Sequence, residues 1–298
     1  IFFFNIFYID NSKTILLLPE VNCKGHLGFE IYENDKLIGF TYENNFVDTN
    51  TYSSDYVQKY KIIAIDRKLI QSKESEVKSR VTGMQVCSFN SKIYNSIKEA
   101  VDYAESLDTD EDLNIYLLKD SYEGTISINK KINIYLDEES ENIHIYRIDD
   151  GALFNINEGG ALLIEGKSEQ NKIILDGLSL SHKGNLLYNN KGVFKGNYLS
   201  LQNNYNSDNN GGAIWGLSST IELNNSLIYN NYAKYGGGYL GQMPNGRMSA
   251  TFTNVVFDSN RAVDGAGIRN LGVVTLNDGE IKNCHSTNNG GGISNEGG

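Results

Sequence analysis

Four copies of a glycine-rich signature close the chain: Gly211-Gly212-Ala213-Ile214, Gly237-Gly238-Tyr239-Leu240, Gly265-Ala266-Gly267-Ile268 and Gly290-Gly291-Gly292-Ile293. Each follows an apolar-x-x-polar step: Leu201 to Asn204, Ile228 to Asn231, Phe257 to Asn260 and Ile281 to Cys284. Taking Ile214, Tyr239, Ile268 and Ile293 as equivalents, the spacings are 25, 29 and 25 residues, and the longer gap contains Met243-Pro244-Asn245-Gly246. A period near 25 with one turn-like insertion means stacked coils, because a repeat that short cannot close a core alone and must bury its apolar side on its neighbours. The four should form one inward column. Ile221, Leu223, Phe252, Val274 and Leu276 should stack in the same lumen, and Asn225, Asn254 and Asp278 should occupy equivalent turns.

Upstream, short apolar runs march with a period of two: Leu113 to Leu117, Thr125 to Ile128, Ile132 to Leu136, Ile143 to Tyr146, Leu162 to Ile164 and Ile173 to Leu175. No helical pattern intervenes, which excludes a doubly wound sheet, whose parallel strands need crossover helices. Strands in steady succession without hairpin dipeptides favour a parallel β-helix. Before them, Ser96-Ile97-Lys98-Glu99 is a capping box, and Ile97, Ala100, Val101, Ala104 and Leu107 share one helical face. Such a helix can cover the first coil, where a solenoid otherwise exposes unpaired backbone and a slice of apolar core.

The N-terminal third reads as a small antiparallel β domain. Thr14 to Leu18, Phe29 to Tyr32, Lys36 to Thr41, Tyr60 to Asp66 and Glu74 to Thr82 are strands, the second and third joined across Glu33-Asn34-Asp35. The opening Ile1-to-Ile9 run is too short to span a bilayer and lacks a basic flank and a cleavage site, so it reads as a buried strand or a misread start. The organisation expected is a β-sandwich over 1–82, a linker and capping helix over 83–112, and a β-helix over 113–298. With no initiator Met and a last residue just after a repeat, the chain reads as a piece of a longer protein.

Composition narrows function. Asp and Glu number 37 against 26 Lys and Arg, a formal charge of -11, and no basic tract offers a path for phosphates. Nucleic acid is therefore not an expected partner. Cys23, Cys87 and Cys284 have no ligand spacing, and the run Asp108 to Asp112 lacks the Gly and terminal Glu of a twelve-residue calcium loop. Gly-x-x-x-x-Gly-Lys-Ser/Thr and His-Glu-x-x-His do not occur, and the histidines (His26, His144, His182, His285) are scattered.

Resemblance adds to this. Gly28 to Tyr32 with Lys36 to Gly39, Phe46 to Asp48 and Tyr60 to Asp66 resemble a bacterial fibronectin type III or immunoglobulin-like module, of the kind trailing extracellular carbohydrate-active enzymes and enhancin-like metallopeptidases. Lys92 to Ala100 through Leu117 to Asp120 resemble the start of pectate-lyase-like right-handed parallel β-helices. Gly211 to Ile214 and Phe257 to Asn260 resemble the repeats of polymorphic outer-membrane proteins and related adhesins. The resemblance implies an all-β protein, a right-handed parallel β-helix with a capping helix behind a small antiparallel sandwich, secreted or at a bacterial cell surface. It implies calcium as the one cofactor to look for, although no motif carries it.

Two function classes follow. The first is a non-catalytic adhesin or structural module, monomeric within a longer chain, that displays neighbouring domains toward polysaccharide or glycoprotein. For it, Trp215, Tyr235, Tyr239 and Arg269 are the candidate glycan contacts. The second is a polysaccharide lyase, a glycoside hydrolase, or the accessory region of a mucin-directed metallopeptidase. Here Asp258, Asp264 and Arg261 are the acid–base candidates, and convergence of acids in one groove is the discriminating feature.

Overall fold

The computed structural model describes residues 5–10, 13–17, 26–33, 36–42, 45–48, 57–66, 78–81, 85–109, 111–179, 184–244 and 246–296. Outside them lie Ile1 to Phe4 of the opening run, Cys23, Asn34-Asp35, Glu74 to Val77, Asp110, His182 and Asn245. The chain divides into two compact units, Ile1–Met84 and Gln85–Gly298.

The first unit holds two antiparallel sheets. One joins Asn5–Asp10, Lys13–Leu17 and Asn45–Asp48; the other orders Lys36–Thr41, His26–Glu33, Val57–Asp66 and Lys78–Val81. Phe29, Ile31, Tyr60, Ile62 and Ala64 are buried together, with Ile38 and Phe46 packed on them. Phe46 belongs to the other sheet, and a Cβ on Gly39 would strike its ring, so this is where the two sheets meet as a sandwich.

The second unit is a parallel β-helix. One column of seven strands stacks Ile126, Phe154, Leu187, Ile214, Tyr239, Ile268 and Ile293 in register. The expected column is therefore present, and its residues are at most 1% exposed until Ile293 in the last coil. Ile221 and Leu223 stack on Ala250 and Phe252, then on Val274 and Leu276, as the repeat spacing requires. A second, larger sheet contains Thr220–Tyr229 and Ser249–Asp258, which run straight through a bend, and a third sheet of four strands stacks Tyr205–Asn210, Tyr232–Tyr235, Arg261–Asp264 and His285–Asn289. Asn225, Asn254 and Asp278 make that bend with φ of 46°, 54° and 52°, the left-handed region that Asn and Asp tolerate best.

At the glycine corner the second copy is shifted by one residue from the sequence reading. Gly236, not Gly237, shares the positive φ of Gly211, Gly265 and Gly290 (65° against 68°, 66° and 62°). The glycines also permit close stacking: a Cβ on Gly238 would sit 2.6 Å from the Gly267 carbonyl oxygen one coil on.

The first coil is closed in two ways. Cys87–Phe89 and Lys92–Tyr94 form a hairpin, turned by Asn90 and Ser91 at positive φ, that pairs antiparallel with Leu113–Leu117. The helix Ile97–Ser106 packs on all three strands of the coil, burying Ile97, Ala100, Val101 and Ala104. Ser96 is its N-cap, with Oγ accepting from the Glu99 amide at 3.1 Å, while the Glu99 carboxylate reaches back to the Asn95 amide at 3.3 Å. At its far end Glu105 accepts from the Asn129 side chain and from the amides of Asn129 and Lys130.

Inside the solenoid the polar residue of each apolar-x-x-polar step forms a buried ladder. The Asn204 amide donates to Asn231 Oδ1 (3.0 Å), and the Asn231 amide to Asn260 Oδ1 (3.0 Å). The side-chain nitrogens of Asn231 and Asn260 hold the carbonyls of Leu201 (3.0 Å) and Ile228 (2.8 Å) in the preceding coil. Cys284 ends the ladder with longer sulfur contacts to Asn260 Nδ2 (3.9 Å) and the Phe257 carbonyl (3.7 Å). At the other end Arg147, fully buried, reaches two coils down to give Nε to Asn204 Oδ1 at 3.0 Å. It passes the corner at Gly177, where a Cβ would lie 2.7 Å from Asn204 Oδ1.

Asn231→Ala strands the Asn204 amide and the Leu201 carbonyl in a dry interior, at about 1–3 kcal/mol for each unsatisfied group. Urea denaturation should show a loss of about 2–6 kcal/mol, whereas Ser127→Ala, on the outward face of Ile126–Ile128, should stay within about 0.5 kcal/mol.

Candidate functional site

With the apolar residues turned inward, chemistry is left to the outward positions beside the corners, since side chains alternate along each strand. Trp215 points outward and is half-buried. Its ring packs on Tyr188 from the coil before (centroids 4.6 Å apart), and Nε1 donates to Gln242 Oε1 at 2.9 Å. The next rung holds Leu240, only 1% exposed, and the one after holds Arg269. Arg269 is engaged on three sides. It bonds Glu296 (2.8 and 3.1 Å), approaches Asp264 Oδ2 (3.8 Å), and lies 4.2 Å over the Tyr235 ring.

Tyr239 does not belong to this surface. It occupies the lumen, 0% exposed, with its ring edge-on to Phe252 at 5.1 Å, and burial pushes its hydroxyl pKa up. Its place in the inward column makes a glycan contact impossible without opening the coil.

The acid–base candidates do not converge. Asp258 ends Ser249–Asp258 and stacks between Tyr229 and Lys282; Asp264 ends Arg261–Asp264 and stacks between Tyr235 and Asn289. Asp258 Oδ1 accepts from Asn283 Nδ2 (2.9 Å) and Ser259 Oγ (2.8 Å), bonds that hold its pKa below the usual carboxylate range. Asp264 Oδ1 accepts from Asn288 Nδ2 and from the amide and side chain of Asn289 at 2.9 to 3.1 Å. Asp258 lines a groove of about 260 Å³ with Glu169, Lys172 and Lys282 over Leu227 and Val256, whereas Arg261 lines a different one. Among the described residues, no three of His, Cys, Asp and Glu gather as a metal-holding group.

The groove at Arg261 contains what the sequence reading missed. Tyr205 and Tyr232, on successive coils, stack face to face with centroids 4.7 Å apart and planes inclined by 12°. Arg261 and then His285 continue the column one and two coils on. The groove holds about 130 Å³ between these rings and Ser179, Asn203 and Asn230. A signal was available: each of these residues directly follows a ladder position (Asn204, Asn231, Asn260, Cys284), so alternation turns it outward.

Among the described residues, one carboxyl group has a raised pKa, which often marks a catalytic acid. Burial pushes Glu123 up to about 7, against hydrogen bonds from Ser121 and from the amides of Ile97 (2.6 Å) and Lys98 (3.4 Å) that favour its charged form. Glu99 nearby raises it further. Yet Glu123 is 2% exposed beneath the capping helix, beside the buried Cys87 thiol, itself pushed up by burial. No substrate can reach either group, so Glu123 serves as the seat of the helix N-terminus. Arg147, pushed down to about 10 by burial, likewise stays charged and internal.

No protein-family model matches the sequence, and no curated protein matches it. Among solved structures, the chain is similar to a Family 28 exopolygalacturonase of Yersinia enterocolitica, at 10% identity and a TM-score of 0.30 over 94% of this chain and 91% of the other. It is similar also to the pectate lyase Pel3 of Pectobacterium carotovorum, at 11% identity and a TM-score of 0.26 over 86% and 85%. At these values the assignment as a parallel β-helix stands on the strand pairing itself.

Glu123 has a clear pH signature. Its folded pKa near 7 lies above the ordinary value of 4.5, so the folded state binds the proton more tightly. That stabilisation is complete below about pH 4.5 and is lost as pH rises through about 7, a span worth on the order of 3 kcal/mol. Glu123→Gln, neutral throughout, should remove this component. The Tm difference between variant and wild type should move in the variant's favour from pH 5 to pH 8, and a pH-independent difference would contradict the assignment.

Proposed function

We propose that the β-helix is a non-catalytic, extracellular or surface-displayed module that binds glycan on its outer face. Its principal contact is the groove over Tyr205 and Tyr232. The observation that carries this is the parallel Tyr205–Tyr232 stack, with Tyr205 38% exposed, set among amide and hydroxyl side chains. Each ring covers one face of the other, and the face and edges left in the groove meet the apolar C–H groups of a pyranose while flanking amides and hydroxyls meet its ring hydroxyls. Trp215 supports the reading less, because Gln242, Tyr188 and Leu240 already occupy its surroundings. The separation of Asp258 from Asp264, and the donors that occupy each, also favour binding over hydrolysis. Among the described residues no helix is long and apolar enough to cross a membrane. The natural ligands on this reading are polysaccharide or glycoprotein chains, and the antiparallel sandwich serves as a fibronectin-like spacer.

Glycan-array binding followed by calorimetry checks this. Tyr232→Ala should weaken binding about tenfold or more, as loss of a central aromatic contact does, with the circular dichroism spectrum unchanged. Trp215→Ala should lower Tm more than affinity. New reducing ends or unsaturated sugars appearing in the bound glycan would overturn the non-catalytic assignment.

A further inference from the structure

We propose that this groove selects sugars bearing an anionic group, carboxylate or sulfate, and that Arg261 is the residue that reads it; the inference rests on the glycan-binding role of the same groove. Arg261 is exposed, and among the described residues its guanidinium has no hydrogen-bond or ion-pair partner. Arg147 and Arg269 are committed, Arg147 to Asn204 and the carbonyls of Asp149 and Gly151, Arg269 to Glu296, Asp264 and Tyr235, and the exposed Arg247 does not line this groove. Although the chain carries a net charge of -11, no carboxylate among the described residues lines this groove.

The acids closest in sequence and register are turned to other work. Asp176 accepts from the Leu178 amide on one oxygen and from Gln202 and Asn203 on the other. Asp258 is held by Ser259 and Asn283 and lines the neighbouring groove. On the rung after Arg261 sits His285, not an acid. Among the described residues, a ligand anion therefore meets a cation with no acid opposite it.

The spacing suits a substituted sugar. Arg261 stands one coil beyond Tyr232, about 4.8 Å along the axis, and lines the same groove, so a sugar held against the tyrosine pair has its substituent within reach of the guanidinium. That planar fork binds two oxygens of a carboxylate or sulfate at once. Hydroxyl partners stand on the wall. Asn230 gives its nitrogen to Asn203 Oδ1 at 2.9 Å and keeps its own Oδ1 for a donor, and the Ser179 hydroxyl lines the same groove.

Calorimetry on the full chain with three tetrasaccharides tests the proposal: cellotetraose (neutral), a hyaluronan tetrasaccharide (carboxylate) and a carrageenan tetrasaccharide (sulfate without carboxylate). At least one anionic probe should bind about tenfold tighter than cellotetraose, and which one identifies the group read. Arg261→Gln should bring that ratio to about twofold or less by weakening the anionic probe more than cellotetraose, and Arg261→Lys should recover part of the preference. Equal affinity for neutral and anionic probes in the wild type, or a preference that survives Arg261→Gln, overturns the role of Arg261 and leaves glycan binding standing. Failure of all three probes to bind overturns both.

Discussion

A chain that turns a corner at every coil leaves backbone carbonyls and amides pointing into a dry interior, and the solenoid exists only if each finds a partner. The Asn204–Asn231–Asn260 ladder answers that constraint here. An asparagine side chain both accepts and donates, so each rung takes an amide from the coil before it and returns a bond to a carbonyl that the bend has freed. Apolar residues cannot do this, and a charged residue would have to be desolvated. The exception is Arg147, which starts the ladder from inside the early coils with two carbonyls and one amide oxygen as acceptors. Its position depends on Gly177, since any side chain at that corner would take the space beside Asn204.

The N-terminal end meets a related constraint with different chemistry. The first coil has no predecessor, so its strand edge pairs with the Cys87-to-Tyr94 hairpin and its lumen is covered by the helix. Covering a lumen with a helix buries the helix N-terminus, whose first amides then lack water. Glu123 supplies the acceptor, and the helix dipole favours its negative charge. Desolvation outweighs that preference, which is why its pKa rises. A perturbed pKa in this fold therefore marks a structural joint, while the residues suited to recognition, Arg261 and the Tyr205–Tyr232 pair, sit on the outer face.

Function on such a scaffold is positional. Coils about 4.8 Å apart convert a repeated sequence position into an outward column. A tyrosine in that position twice becomes a stacked platform, and an arginine in the third copy becomes its charged end. The same stacking disposes of other candidates. Tyr239 falls on an inward position and becomes core, and Arg269 falls beside Tyr235, Asp264 and Glu296 and becomes part of an ionic cluster.

From the sequence alone came the coil period, the luminal column through Ile214, Tyr239, Ile268 and Ile293, the turn asparagines and the capping helix with its buried face. All of these depend on spacing within one coil or between identical positions of adjacent coils, and spacing is written in the chain. The one-residue slip at Gly236 arose because three consecutive glycines carry no side-chain pattern to set the register, and only the backbone φ separates them. Arg147 reaching Asn204, Glu123 beneath the helix, and the groove formed by Ser179, Asn203, Tyr232 and Arg261 were decided by the tertiary structure. Each joins residues from two or more coils through the direction and length of a side chain, which depend on what the neighbouring coils leave open.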